Sequence, residues 1–180
     1  NIGKYREICN LLPKKLKKYS PKKFKIQTPK ETGESFEENS FIKASYFSKK
    51  TNLVCLSDDS GLEINLLKGA PGIYSSRWSG KKGNFDLAIK RIFEQMNKIK
   101  KNWSKDNSAR FICCLTLFWP NGKSYISKGI VEGKISTKKK GDKGFGYDPI
   151  FIPNGYNKTF GEMDSNLKVS IDHRNKAFIK

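Results

Sequence analysis

Apolar positions recur at helical spacing in several stretches of the chain and as compact runs in others. Tyr5, Ile8, Cys9 and Leu12 repeat at helical intervals and stop at Pro13, which predicts a helix over residues 4–12. Ser35-Phe36-Glu37-Glu38 fits a capping box, with Ser35 as N-cap and Glu38 three residues on. The helix it opens is predicted to reach about Lys49, with Phe36, Ser40, Ala44 and Phe47 on one face. Ala88, Ile89, Ile92, Phe93, Met96 and Ile99 predict an amphipathic helix over 86–100, and a last helix is predicted to begin near Asp172. Phe24-Lys25-Ile26-Gln27 reads as a short strand, and further strands are expected at 53–57 and 62–66. Arg110 to Trp119 and Ser124 to Ile135 read as strands joined by a Pro120-Asn121-Gly122 hairpin turn, and Ile150-Phe151-Ile152 as one more. Helices alternating with strands, plus a hairpin, predict an α/β protein with a mixed sheet and flanking helices in one domain over 1–180.

Charge changes this picture more than composition does. Against 17 Asp+Glu stand 36 Lys+Arg, a formal net charge of +19, which attracts polyanions: nucleotides, nucleic acid or an anionic surface. Residues 14–30 hold eight lysines and no acid, and Lys138-Lys139-Lys140 forms a second run. Neither run is interleaved with aromatics like a single-strand binding surface, so solvated lysine-rich faces explain them more simply than nucleic-acid contact. There is no apolar run of transmembrane length and no signal peptide, so the expectation is a soluble cytoplasmic protein. Four cysteines without a CxxC, and a single histidine, His173, do not make a zinc site. Cys113 and Cys114 point to opposite faces if their run is a strand, and buried reduced thiols are expected.

Several segments look more like site than scaffold. Ser57-Asp58-Asp59-Ser60-Gly61 ends an apolar run, and its two carboxylates suit a hard cation such as Mg²⁺, although a solvated turn would look the same. Gly3 and Lys4 at a helix start suit a phosphate. Glu37 and Glu38 are first-turn acids that complement a helix dipole, whereas Glu31 precedes the cap and is not explained that way. Lys43 falls about one turn into the same helix. In Gly144-Phe145-Gly146-Tyr147-Asp148-Pro149 the aromatics either stack a planar base or plug the core. Lys168 and Asp172-His173-Arg174 close the set, with Asp172 as the expected N-cap.

In this order, the stretches NIGK, ETGESFEEN, DDSGLEI, GAPGIYSSRWSG, ARF, GFGYDPIF, TFGEM and DHR resemble the inosine triphosphate pyrophosphatase, or Ham1-like, family across nearly the whole chain. The resemblance implies an elongated α/β fold with two lobes around a central substrate cleft, and a homodimer. It also implies Mg²⁺-dependent hydrolysis of ITP, dITP and XTP to the monophosphate and pyrophosphate, with Mn²⁺ as a possible substitute for Mg²⁺. Carried over residue by residue, it makes Asp59 the general base. Glu31, Asp58 and Asp59 become the metal contacts. Asn1, Gly3, Lys4 and Lys43 face the phosphates, and Ser60 touches substrate. Phe145, Gly146, Tyr147 and Asp148 form the base-recognition loop, and Lys168, His173 and Arg174 surround a 6-oxo purine. The family begins with a strand ending in a Thr/Ser-Gly-Asn turn, so the resemblance implies a strand before Asn1. It also implies a longer gap than the one seen here between Gln27 and Glu31. Asp172 replaces the usual Ser, and a carboxylate there favours the protonated form of His173. Two other readings compete: a related house-cleaning pyrophosphatase of the Maf-like group, against which GFGYDPIF and DHR argue, and a basic nucleic-acid-binding protein with lost or redirected activity.

Overall fold

The computed structural model describes residues 2–80 and 83–180. Among these residues, five α-helices and four strands follow in the order α1 (Ile2–Leu11), α2 (Phe36–Thr51), β1 (Cys55–Ile64), α3 (Phe85–Ile99), β2 (Ser108–Phe118), β3 (Ser124–Ile135), β4 (Phe151–Pro153), α4 (Ser165–Ile171) and α5 (His173–Phe178). The strands form one sheet in the order β1-β2-β3-β4. β3 and β4 run antiparallel, with Gly133 opposite Pro153 and Ile135 opposite Phe151. The α/β class is as expected, but the sheet is antiparallel where a mixed one was anticipated. Strands consecutive in the chain are neighbours in the sheet, which antiparallel pairing permits without helical crossovers.

By contacts the chain divides into two compact units, Asn1–Asp59 with Cys113–Gly129 and Arg174–Lys180, and Ser60–Ile112 with Ile130–His173. In the first, α2 starts at the predicted cap. Ser35 Oγ accepts from the Glu38 N–H at 3.1 Å, and Asn52 closes the far end in a left-handed conformation with φ 54°. Ser40 Oγ meets Thr116 Oγ1 of β2 at 2.6 Å, and Phe41 packs edge-on against Phe118. The alternate residues of β2, Cys113 and Leu115, pack instead with Ile8 of α1, Leu56 and Ala177 of α5. α2 therefore covers one face of these strand segments, and α1 with α5 the other.

The second unit has the larger apolar core. α3 buries Ala88, Ile89, Ile92 and Met96, as its helical spacing requires, whereas Ile99, grouped with them in the sequence, is the helix's last residue and is exposed. Asn84 caps it by accepting from the Asp86 and Leu87 N–H groups. Phe111 of β2 lies against Phe151 at 4.6 Å and stacks on His173 at 4.7 Å between centroids.

Three expectations fail locally. Residues 24–27 are not a strand: Pro21–Phe24 form a 3₁₀ turn capped by Ser20, and Lys25 takes a left-handed conformation with φ 53°. Proline at the first position and a side-chain cap favour the turn over extension. The two short strands around the Asp-Asp pair are one continuous strand, β1, with Gly61 inside it. The break was expected because the apolar run stops at Leu56 and Gly61 permits a turn. Here Ser57, Asp58 and Asp59 find partners, as described below. α4 carries no strong apolar period and was not anticipated. The chain turns again at Asp172, which is extended at φ −73° and ψ 169°, and α5 begins at His173 as expected.

All four cysteines are free thiols, and Cys113 and Cys114 are buried. Burial pushes the Cys113 thiol well above its usual range, with the Asp58 carboxylate adding to it. Burial and the Glu37 charge push Cys114 up to about 12. With DTNB at pH 8, no more than two of the four thiols are expected to react before unfolding, and four after it. Rapid reaction of a third in the native protein would contradict this burial.

Candidate active site

Side chains alternate along a strand, so the adjacent carboxylates of β1 face opposite ways. Asp59, with Ser57, points to the α2 side, where the Ser57 hydroxyl donates to the Ser40 carbonyl of α2. Asp58, with Leu56, points to the side covered by α1 and α5. The two carboxylates of the pair therefore hold different partners.

On the α2 side, the Lys43 ammonium donates to Asp59 Oδ1 at 2.6 Å and to Glu31 Oε1 at 2.7 Å. Glu31 lies in the loop before α2, and that loop is fixed by Asn39, which the sequence reading missed. Asn39 Oδ1 accepts from the Gly33 N–H at 2.9 Å, and its amide donates back to the Gly33 carbonyl. A fully buried polar residue on the helix's apolar face, between Phe36 and Ser40, was the signal that could have found it. Burial pushes the Asp59 carboxyl up, and the Lys43 and Lys4 charges oppose this without cancelling it. Lys43 is itself held above its usual range, because Asp59 and Glu31 outweigh its own burial. Among the described residues no three His, Cys, Asp or Glu side chains gather as a metal cage. Two carboxylate oxygens from different segments nevertheless converge on one cation, here an ammonium. A two-oxygen donor set of this kind fits Mg²⁺, which fills its remaining positions with water and phosphate.

On the other side, Asp58 is enclosed. Its Oδ1 binds Lys4 Nζ at 2.7 Å, while its Oδ2 lies 3.1 Å from Arg174 Nε and accepts from Cys113 Sγ at 3.1 Å. Arg174 Nη1 donates to Glu7 Oε2 at 2.8 Å. Glu7, in the middle of α1, was not singled out in the sequence. Burial alone would raise the Asp58 carboxyl, but the Lys4 and Arg174 charges hold it well below the usual carboxylate range. A carboxyl depressed in the folded state gives the unfolded chain the higher proton affinity. These ion pairs therefore stabilise the fold fully above about pH 4 and lose that contribution as pH falls toward the depressed value. Denaturant midpoints between pH 2 and 7 are expected to fall on the acid side, and to fall less in Asp58→Asn. An identical acid limb in that variant would contradict the assignment.

Lys4 and Gly3 sit in the first turn of α1 rather than ahead of it, and Asn1 lies outside the described residues. Ser60 follows Asp59 within β1 and is half-buried.

In the second unit the glycine-aromatic loop is organised by Asp148. Its Oδ2 accepts from the Phe145 N–H at 2.8 Å and from Lys168 Nζ at 2.7 Å, and both charged side chains are buried. Gly144 has φ +74°, and a Cβ there would lie 2.1 Å from Asp148 Oδ2, so only glycine allows this approach. The Lys168 ammonium stands 4.9 Å from the centroid of the half-buried Phe145 ring. Tyr147 takes the other option left open for the aromatics. It is buried, packs edge-on to Phe85 at 5.2 Å, and donates its hydroxyl to the Ser75 carbonyl at 2.8 Å. Ser75, from the GAPGIYSS stretch, also accepts from the Leu62 N–H, tying that stretch to β1. His173 lies flat on Phe111 with the rings 9° apart. Lys168, Phe145, Asp148 and Gly144 thus come together. Arg174, grouped with Lys168 and His173 in the sequence, has its guanidinium on Asp58 and Glu7.

The sequence profile of the Ham1 family matches residues 1–180. A dITP/XTP pyrophosphatase of Bartonella quintana is 42% identical over 190 residues, covering 99% of this chain and 88% of that one. One of Zymomonas mobilis is 40% identical over 179 residues, covering 99% and 85%. Among solved structures, a HAM1 protein from Coxiella burnetii superposes with a TM-score of 0.87 at 37% identity, covering 99% of this chain and 91% of its own.

Proposed function

The chain belongs to the Ham1 family, and from that membership we propose that it hydrolyses dITP, ITP and XTP to the monophosphate and pyrophosphate, removing deaminated purines from the nucleotide pool. The observation that carries this is the convergence of Glu31 and Asp59 on the ammonium of Lys43, with a second lysine of low exposure, Lys4, on the neighbouring Asp58.

In this reading, water attacks the α-phosphorus, its proton passes to Asp59, and the bond to the β-phosphate bridging oxygen breaks to release pyrophosphate. Burial raises the Asp59 carboxyl above the usual carboxylate range, which makes it a stronger proton acceptor than an exposed one. Glu31 and Asp59 would hold Mg²⁺, which when bound supplies positive charge to the phosphate oxygens and to the attacking water. Lys43 and Lys4 add fixed positive charge for the triphosphate. The loop held by Asp148 presents the Phe145 ring as a stacking surface for the base, with His173 and main-chain N–H groups as donors to O6. A site built to donate to O6 leaves a buried donor unpaired opposite the 6-amino group of adenine, so ATP is rejected.

Pyrophosphate release from dITP, ITP, XTP, GTP and ATP, with and without Mg²⁺, tests this reading. Turnover of the first three, absent for ATP and dependent on the metal, is the expected result. Equal turnover of ATP would overturn the substrate assignment.

A further inference from the structure

Asp58 looks in the sequence like the twin of Asp59, yet its surroundings are of another kind. Its side chain is 3% exposed, and donors from α1, β2 and α5 enclose both of its oxygens. A hydrated divalent ion needs open carboxylate lone pairs, and at Asp58 two cations and a thiol already crowd both oxygens. Of this group, Lys4 retains the most exposure, with 23% of its side chain accessible. Arg174 is closed behind it at 3%, with its outer end on Glu7.

We propose that Asp58 is a positioning residue, which holds the Lys4 ammonium in place for the phosphate chain, with Arg174 and Glu7 fixing the carboxylate from behind, and that it does not ligate the metal. This rests on the pyrophosphohydrolase reading and deepens it. A lysine stem is flexible, so an ammonium already anchored by a buried carboxylate loses less freedom when a phosphate arrives.

Asp58→Asn keeps the shape and removes the charge. It is expected to raise KM for dITP about tenfold, with kcat falling no more than about threefold and the Mg²⁺ half-saturation unchanged. The Kd of a non-hydrolysable dITP analogue, measured by calorimetry without metal, is expected to rise by the same factor. Lys4→Ala is expected to give the same rise, and the double variant to be no worse than either, because the two side chains act as one unit. A rise in the Mg²⁺ half-saturation with an unchanged metal-free Kd would make Asp58 a ligand and overturn the proposal. Effects of the two substitutions that multiply would also overturn it. Should Asp58→Asn not fold, Asp58→Glu, which keeps the charge but moves it by one methylene, is judged by the same Kd and half-saturation. Lys4→Ala, at a partly exposed position, decides the question without either, since an unchanged Kd there rules out the held ammonium. If the unaltered protein binds the analogue in this Asp58-dependent way but releases no pyrophosphate from any nucleotide, the activity reading fails and the positioning role stands.

Discussion

Asp59→Asn is expected to reduce pyrophosphate release from dITP and XTP by about 10³-fold or more, through kcat rather than KM. In the proposed mechanism, two functions are lost with one oxygen. The amide cannot accept the proton of the attacking water, and it is a poor ligand for a hard cation beside Glu31. The fold is expected to survive, because Asn matches Asp in volume and Lys43 keeps Glu31 at 2.7 Å. The comparison variant is Glu31→Gln, which leaves the base in place. It is expected to raise the Mg²⁺ half-saturation while retaining part of kcat at saturating metal. Steady-state kinetics over a Mg²⁺ series separate the two. An Asp59→Asn protein with near-normal kcat and an intact melting transition would place the general base elsewhere.

Lys168→Met is expected to lower the unfolding free energy by about 3–5 kcal/mol in urea titrations. Its partner Asp148 is 4% exposed in its side chain, and Lys168 is 5% exposed. Removing the ammonium leaves a buried carboxylate, beside the Phe145 N–H, without its cation. The thioether fills the volume, so the loss is electrostatic rather than a cavity. Asp148→Asn with Lys168→Met is expected to recover part of it, since an uncharged pair is not punished by burial. Nucleotide binding is expected to weaken in the single variant as well, because Asp148 sets the loop that presents Phe145. A loss under about 1 kcal/mol would mean that the pair is hydrated and behaves like a surface ion pair.

The sequence by itself determined the elements whose signals are local. The Ser35 capping box, the apolar face of α3 and the Pro120-Asn121-Gly122 hairpin depend on residues a few positions apart, and the structure has all three. The residue types of the site were legible in the same way, because carboxylates, lysines and a glycine-aromatic loop announce themselves as motifs. Tertiary structure decided the pairing. Asp58 and Asp59 are neighbours in the chain, yet pleating sends one to Lys4 and Arg174 and the other to Lys43 and Glu31. Arg174 follows His173, yet one reaches Glu7 while the other stacks on Phe111. Phe145 and Tyr147 carry similar rings two residues apart, and only packing made one half-exposed and the other a core plug. In each case the deciding contact lies across tens of residues. It depends on which helix covers which face of a strand, a relation that no local period encodes.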